Sequence, residues 1–154
     1  MRWKAFFLNL AVPLAVGALA GILTRRSMAA YAAMQKPPAS PPGLVFPIVW
    51  TVLFLLMGVS SYLIRQLPDS DERRTALALY AVSLAVNFLW PIVFFTMKAY
   101  LFALIVLLVL WGIVLAMIFA MHRVRPAAAW LQIPYLLWLS FAAYLNLGVA
   151  LLNR

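Results

Sequence analysis

Five stretches of the chain, about 3–24, 44–65, 75–97, 100–121 and 127–152, are each long and apolar enough to cross a bilayer, and together they take up most of its 154 residues. A spanning helix needs roughly 20 mostly apolar residues. Water-free hydrocarbon also demands that every backbone N–H and C=O be satisfied within the segment or in a closed barrel. These stretches are rich in Leu, Ala and Val with no strict alternation, so they read as helices and not as barrel strands. The fold expected is all-α: a single five-helix bundle, integral to a membrane, spanning 1–154 as one domain. At 68% hydrophobic and 10% charged residues, the chain lacks the polar surface of a soluble domain, where about a quarter of residues are charged. No segment repeats another at a fixed period, which excludes a solenoid.

The formal charge of +9 does not make the chain a nucleic-acid binder. Its bases, from Arg2 and Lys4 through Arg25, Arg26, Lys36, Arg65, Arg73, Arg74, Lys98, Arg123 and Arg125 to Arg154, flank the apolar stretches, where anionic headgroups favour them. Seven of these fall on the N-terminal side and five on the other, a count that favours a cytoplasmic N-terminus. The lack of cysteine removes disulfides, thiolate nucleophiles and thiolate metal ligands. Arg2, Lys4 and Ala18-Leu19-Ala20 imitate a secretory signal, but the apolar run continues to Leu23, so the first stretch is expected to be a retained span.

Local signals place the connections. Pro13 and Asn9 lie inside the first span, and the carbonyl freed by the proline must be satisfied within the bundle. Gly17 and Gly21 form a GxxxG pair, and Ala81 with Ala85 a similar small-residue pair, both suited to close helix contact and to a homodimer seam. "QLPDSDERRT" holds all three acids, Asp69, Asp71 and Glu72, and reads as a solvated turn with Ser70 or Asp71 as N-cap of the third helix. Pro126 suits the start of the fifth helix, where a missing N–H costs nothing.

The polar residues inside the spans argue against acid–base or metal chemistry. No span holds a carboxylate for proton relay. The one histidine, His122, sits beside Arg123 at the end of the fourth stretch and reads as an interfacial residue, with haem ligation the alternative. No catalytic residue, no metal ligand set and no required cofactor is expected. The aromatic content points elsewhere. "NFLWPIVFF" puts Asn87, Trp90, Pro91 and Phe94 on one helical face beside a proline kink. "PYLLWLSFAAYLN" puts Tyr135, Trp138 and Ala142 on another, with Asn146 a turn beyond, and Trp50 adds an indole early in the second helix. Trp3 and Trp130 suit the membrane interface, whereas Trp90 and Trp138 lie deep in their spans. Aromatic walls with a few placed polar groups compose a pocket for a flat, largely apolar ligand, and the same residues also serve plain helix packing.

Four blocks, "QKPPASPPG" at 35–43, "FPIVWTVLF" after it, then "NFLWPIVFF" and "PYLLWLSFAAYLN", resemble the translocator protein family, also called the tryptophan-rich sensory protein family. The resemblance covers essentially the whole chain. It implies a five-helix bundle with the proline-rich loop as a lid over its mouth, and prolines that keep an extended loop in shape without a hydrogen-bond ladder fit that part. It also implies binding of tetrapyrroles such as protoporphyrin IX and haem, of isoquinoline-carboxamide and benzodiazepine-type drugs and, in animals, of cholesterol. Carried over position by position, the ligand-binding residues would be Tyr31, Pro42, Gly43 and Pro47 of the lid region, Trp50, Asn87, Trp90, Phe94, Tyr135, Trp138 and Ala142.

This chain departs from the family at two places. Ala39 stands where relatives place a lid tryptophan, which removes part of a ligand ceiling. "LNLGVALLNR" has Leu147 in place of an aromatic and no base before Arg154, so sterol recognition is not supported. Three functions compete: a membrane receptor or carrier for flat hydrophobic ligands, a photo-oxidative porphyrin-degrading protein using Trp50 and Trp138, and a ligand-free regulatory scaffold.

Overall fold

Each helix end follows from a local residue. The computed structural model describes residues 2–154. Helix α1 (Trp3–Tyr31) is followed by α2 (Val45–Arg65) and α3 (Asp71–Pro91), which continues as a π-helical turn over Ile92–Thr96. Then come α4 (Tyr100–Val124), the short α5 (Pro126–Trp130) and α6 (Ile133–Leu152). Among the described residues there is no strand. Among them, five helical lengths are apolar and long enough to cross a membrane, α3 counted with its π turn and α5 with α6.

Three boundaries differ from expectation. Helix α1 runs on to Tyr31, past the double arginine at which hydropathy would end the span, because "RRSMAAY" contains no helix breaker. Helix α3 starts at Asp71, where Ser70 is the N-cap and its Oγ accepts from the Arg73 N–H at 3.1 Å. The fifth span is broken at Leu131–Gln132. Pro134 explains the break: it offers no N–H to the Trp130 carbonyl, its ring crowds that carbonyl, and it disfavours helical geometry at Ile133. Pro91 acts in the same way on α3, and the strain is absorbed by the π turn that follows it. Lys98 closes that turn with φ 54°, while the Ala99 N–H reaches back to the Val93 carbonyl at 3.2 Å, a C-terminal closure of the Schellman kind.

Around the bundle the neighbours run α1, α2, α5–α6, α4, α3 and back to α1. The core is built from Leu53, Phe54 and Met57 of α2, Tyr80 and Leu84 of α3, Leu107, Leu110 and Met117 of α4, and Leu139 of α6. Two glycines set how close the helices come. A Cβ on Gly58 would lie 2.8 Å from the Asn9 carbonyl oxygen and the Leu10 Cα, so α1 and α2 nearly touch there. That Asn9 carbonyl is the one deprived of its helical donor by Pro13. A Cβ on Gly17 would collide with the Phe54 ring, whereas one on Gly21 would meet nothing within 4 Å. The GxxxG pair is thus divided: Gly17 receives an aromatic ring of its own chain, and Gly21 faces outward.

The outer surface is apolar, with Leu101, Ile105, Leu108, Phe119 and Leu137 all exposed. In water this would drive aggregation; in hydrocarbon it matches the solvent. The charged turn 66–70 sits outside the spans. There Arg74, hydrogen-bonded to Asp69, holds its carboxyl below the usual carboxylate range.

Candidate functional site

Helices α2 and α6 keep their backbones apart and meet mainly through long aromatic side chains. From α2, Phe46, Trp50 and Phe54 follow at a spacing of four and share one face. Trp50 stacks on Phe54 (centroids 5.5 Å, planes 29° apart) and meets Tyr135 edge-on at 6.2 Å. Phe46 meets Trp138 edge-on at 5.9 Å. The result is an aromatic seam running down the inside of the bundle.

Helix α3 closes the seam. The Asn87 amide donates to the Tyr135 hydroxyl at 2.6 Å. The Trp90 indole N–H donates to the Asn146 side-chain oxygen at 3.0 Å, and the Asn146 amide donates to the Tyr100 carbonyl at 2.9 Å. Trp90 also stacks on Phe94 (5.1 Å, 28°). These bonds cross from α3 to α6 and from α6 to α4. With no water to compete, such links between buried groups define how the helices sit.

Tyr31 stands at the open end, edge-on to Phe46, Phe94 and Phe95 at 6.4, 5.9 and 5.6 Å. It is the last residue of α1 and not part of the loop. Beneath it lies one polar atom without a partner: the Trp138 Nε1–H is buried and makes no hydrogen bond. Ala142, one turn on, is buried in the same core.

Eight of the eleven residues expected at the site therefore gather here: Tyr31, Trp50, Asn87, Trp90, Phe94, Tyr135, Trp138 and Ala142. Pro42, Gly43 and Pro47 do not join them; all three are exposed, and a Cβ on Gly43 would meet nothing within 4 Å. The loop contacts the bundle through its first half. Pro37 is buried against Gly148 of α6, Tyr144 donates to the Pro38 carbonyl at 2.8 Å, and Asn153 bonds both to the Gln35 N–H at 3.2 Å and to its carbonyl at 2.8 Å. Ala39 is exposed at the turn with φ 65°.

Sequence reasoning missed Phe46 and Phe95 as parts of the wall, and the docking of the loop on α6. For Phe46 the signal was present in its four-residue spacing to Trp50. For the docking there was none, because Gln35 and Asn153 are joined only by the fold. Among the described residues no three His, Cys, Asp or Glu side chains cluster as a metal site. The seam is neutral, aromatic and sparsely polar.

The model of the TspO/MBR family matches residues 9–152. The chain is 43% identical over 118 residues to the translocator protein of Bos taurus, covering 75% of this chain and 70% of that one. It is 41% identical over 123 residues to the tryptophan-rich sensory protein of Cereibacter sphaeroides, covering 80% and 76%. A tryptophan-rich protein TspO of Archaeoglobus fulgidus is 32% identical over 142 residues, 91% of each chain. With five membrane-capable helices and a family match over nearly its whole length, this multi-pass membrane protein belongs to the TspO/MBR family.

Proposed function

We propose that the protein is a membrane receptor or carrier for flat, largely apolar ligands held in the aromatic seam, with tetrapyrroles such as protoporphyrin IX and haem first among them. Isoquinoline-carboxamide and benzodiazepine-type drugs, smaller and also aromatic and largely apolar, belong to the same reading. The observation that carries this reading is the buried, unpartnered Nε1–H of Trp138. A donor left unpaired in an apolar setting costs on the order of 1–3 kcal/mol, and a ligand carbonyl or ring nitrogen would relieve that cost. Phe46 and Trp138 are only half-buried, and a ligand entering between α2 and α6 would do so by parting their rings. Relatives named translocator and sensory proteins are consistent with either carriage or signalling.

Titrating the purified protein with protoporphyrin IX while following tryptophan fluorescence tests the reading. Saturable quenching is expected, weakened by about tenfold or more in Trp138→Phe, which keeps an aromatic wall and removes the donor. Quenching that never saturates, or that is unchanged in both Trp138→Phe and Trp50→Phe, would defeat it. A homodimer belongs to the same proposal. Ala81 and Ala85 are exposed and line, with Ala15, Leu19 and Phe88, an open apolar hollow between α1 and α3 that suits a second copy. Cross-linking in native membranes that captures a control dimer but only monomer here would remove that part.

A further inference from the structure

A second hollow, of about 350 Å³, opens on the outer side of the bundle at its loop end, between the start of α4 and the end of α6. It is lined by Ala99, Tyr100, Leu101, Phe102, Ala150 and Arg154, of which only Arg154 carries a charge. Tyr100 divides this hollow from the aromatic seam. Its ring turns inward to meet Phe94 edge-on at 5.1 Å, its hydroxyl reaches the Met34 sulfur at 3.5 Å, and its carbonyl accepts from Asn146 at 2.9 Å. The hollow is therefore entered from the lipid side, where Leu101 and Phe102 are exposed.

The rim of the hollow is cationic. Arg154 is exposed, and Lys98, also exposed, precedes Tyr100 by two residues. Asp69 and Asp71 pair with Arg73 and Arg74 at the opposite end of the bundle, and Glu72 lies beside them, so no acidic side chain stands near Arg154. Helix α4 adds partial positive charge, because its N-cap, Ala99, offers no side-chain acceptor to the first N–H groups. Tyr100 opens α4 and Arg154 lies two residues past the end of α6, the depth at which headgroups begin. A second copy of the chain does not suit this surface. Two copies inserted the same way bring like ends together, which would set Arg154 and Lys98 against other bases. An apolar hollow under a cationic rim suits an amphiphile with an anionic head, and basic pockets between membrane helices hold such headgroups.

We infer that the groove between α4 and α6 is a binding site for an anionic phospholipid. One acyl chain lies in the hollow against Leu101, Phe102 and Ala150, and the phosphate meets the Arg154 guanidinium and the first turn of α4. A guanidinium can hold a phosphate through two parallel N–H···O bonds. The site stands apart from the aromatic seam and does not depend on what the seam binds. It differs from the general attraction of surface bases for anionic headgroups, because hollow and guanidinium act on one and the same lipid molecule.

The test is native mass spectrometry of the full chain released from bilayers that hold phosphatidylglycerol and phosphatidylcholine, with identical acyl chains, in equal amounts. The wild type is expected to retain one phosphatidylglycerol in preference to phosphatidylcholine. Arg154→Gln is expected to lower that preference by at least about fivefold, the worth of one base at a membrane surface, whereas Arg25→Gln, at the same end on α1, leaves it unchanged. Ala150→Leu, which fills the hollow, is expected to lower retention of both lipids, and Phe102→Ser, which alters its exposed wall, serves if that variant does not fold. Glycerol 3-phosphate, a head without chains, should not displace the bound lipid. Equal retention of the two lipids by the wild type, or equal losses in Arg154→Gln and Arg25→Gln, would overturn the inference and leave only diffuse attraction of bases to the surface. Displacement by glycerol 3-phosphate, or retention untouched by changes to the hollow, would overturn it too, by showing that no acyl chain is held there.

Discussion

Ala142 is the smallest side chain on the wall, buried one turn from Trp138. On the proposed reading, a ligand ring would lie against the indole over this small side chain. Threonine would add a methyl and a hydroxyl, the latter able to bond back to the Trp138 carbonyl. Overpacking of this kind costs about 1–3 kcal/mol, and each 1.4 kcal/mol is about tenfold in affinity. Ala142→Thr is expected to fold and to bind protoporphyrin at least about tenfold more weakly, whereas Ala116→Thr, on an exposed position of α4, leaves affinity unchanged. Equal affinities in the two variants would mean that the ligand lies elsewhere. Tyr135 tests the polar side of the same wall. Tyr135→Phe keeps the ring against Trp50 but strips the Asn87 amide of its acceptor. A loss of about 1–3 kcal/mol in unfolding free energy is expected, read from denaturation in detergent. Wild-type stability in this variant would show that Asn87 finds another partner.

The proline-rich loop is the element with the most distant anchors. It is tied to the far end of the sequence by Pro37 on Gly148, by Tyr144 and by Asn153. A proline ring yields little, so a methyl on Gly148 must displace the loop or the helix. Gly148→Ala is expected to speed hydrogen exchange or proteolytic cutting across residues 35–43 by about tenfold, roughly 1.4 kcal/mol of lost docking. The helices should melt where they did before. Unchanged exchange across the loop would show that the seat of Pro37 is not what holds it down. The same logic explains Ala39: with φ 65° it occupies a conformation costly for any side chain but glycine. The anchored first half of the loop therefore holds the turn in shape against that cost.

At the scale of the bundle the expectation to test is orientation. The end with the N-terminus carries seven bases against five at the loop end, so the positive-inside rule predicts a cytoplasmic N-terminus. The native absence of cysteine makes this directly measurable. In intact cells a membrane-impermeant maleimide is expected to label Ser40→Cys in the proline loop, and to label Glu72→Cys only after permeabilisation. The reverse pattern would invert the protein and put the proline loop on the cytoplasmic side.

Much of this architecture was legible in the order of residues. Length and apolarity specify five spans because hydrocarbon leaves a chain no other way to satisfy its backbone. Helical periodicity puts Asn87, Trp90 and Phe94 on one face, and Tyr135, Trp138 and Ala142 on another, before any neighbour is known. Pro91 announces a kink for a covalent reason. What periodicity cannot supply is which faces meet. That Asn87 finds Tyr135, and Trp90 finds Asn146 while Trp138 finds nothing, depends on the relative rotation of α3 and α6. The break at Pro134 was visible as a residue but hidden by unbroken hydropathy, which measures transfer to lipid and not backbone hydrogen bonds. Gly17 and Gly58 look alike in sequence, yet one accepts a ring and the other a backbone. The loop's proline content implied stiffness, but its docking half was set by Gly148 and Asn153, more than a hundred residues away. Local chemistry chooses helices, turns and faces; contacts between distant residues exist only once packing has brought the faces together.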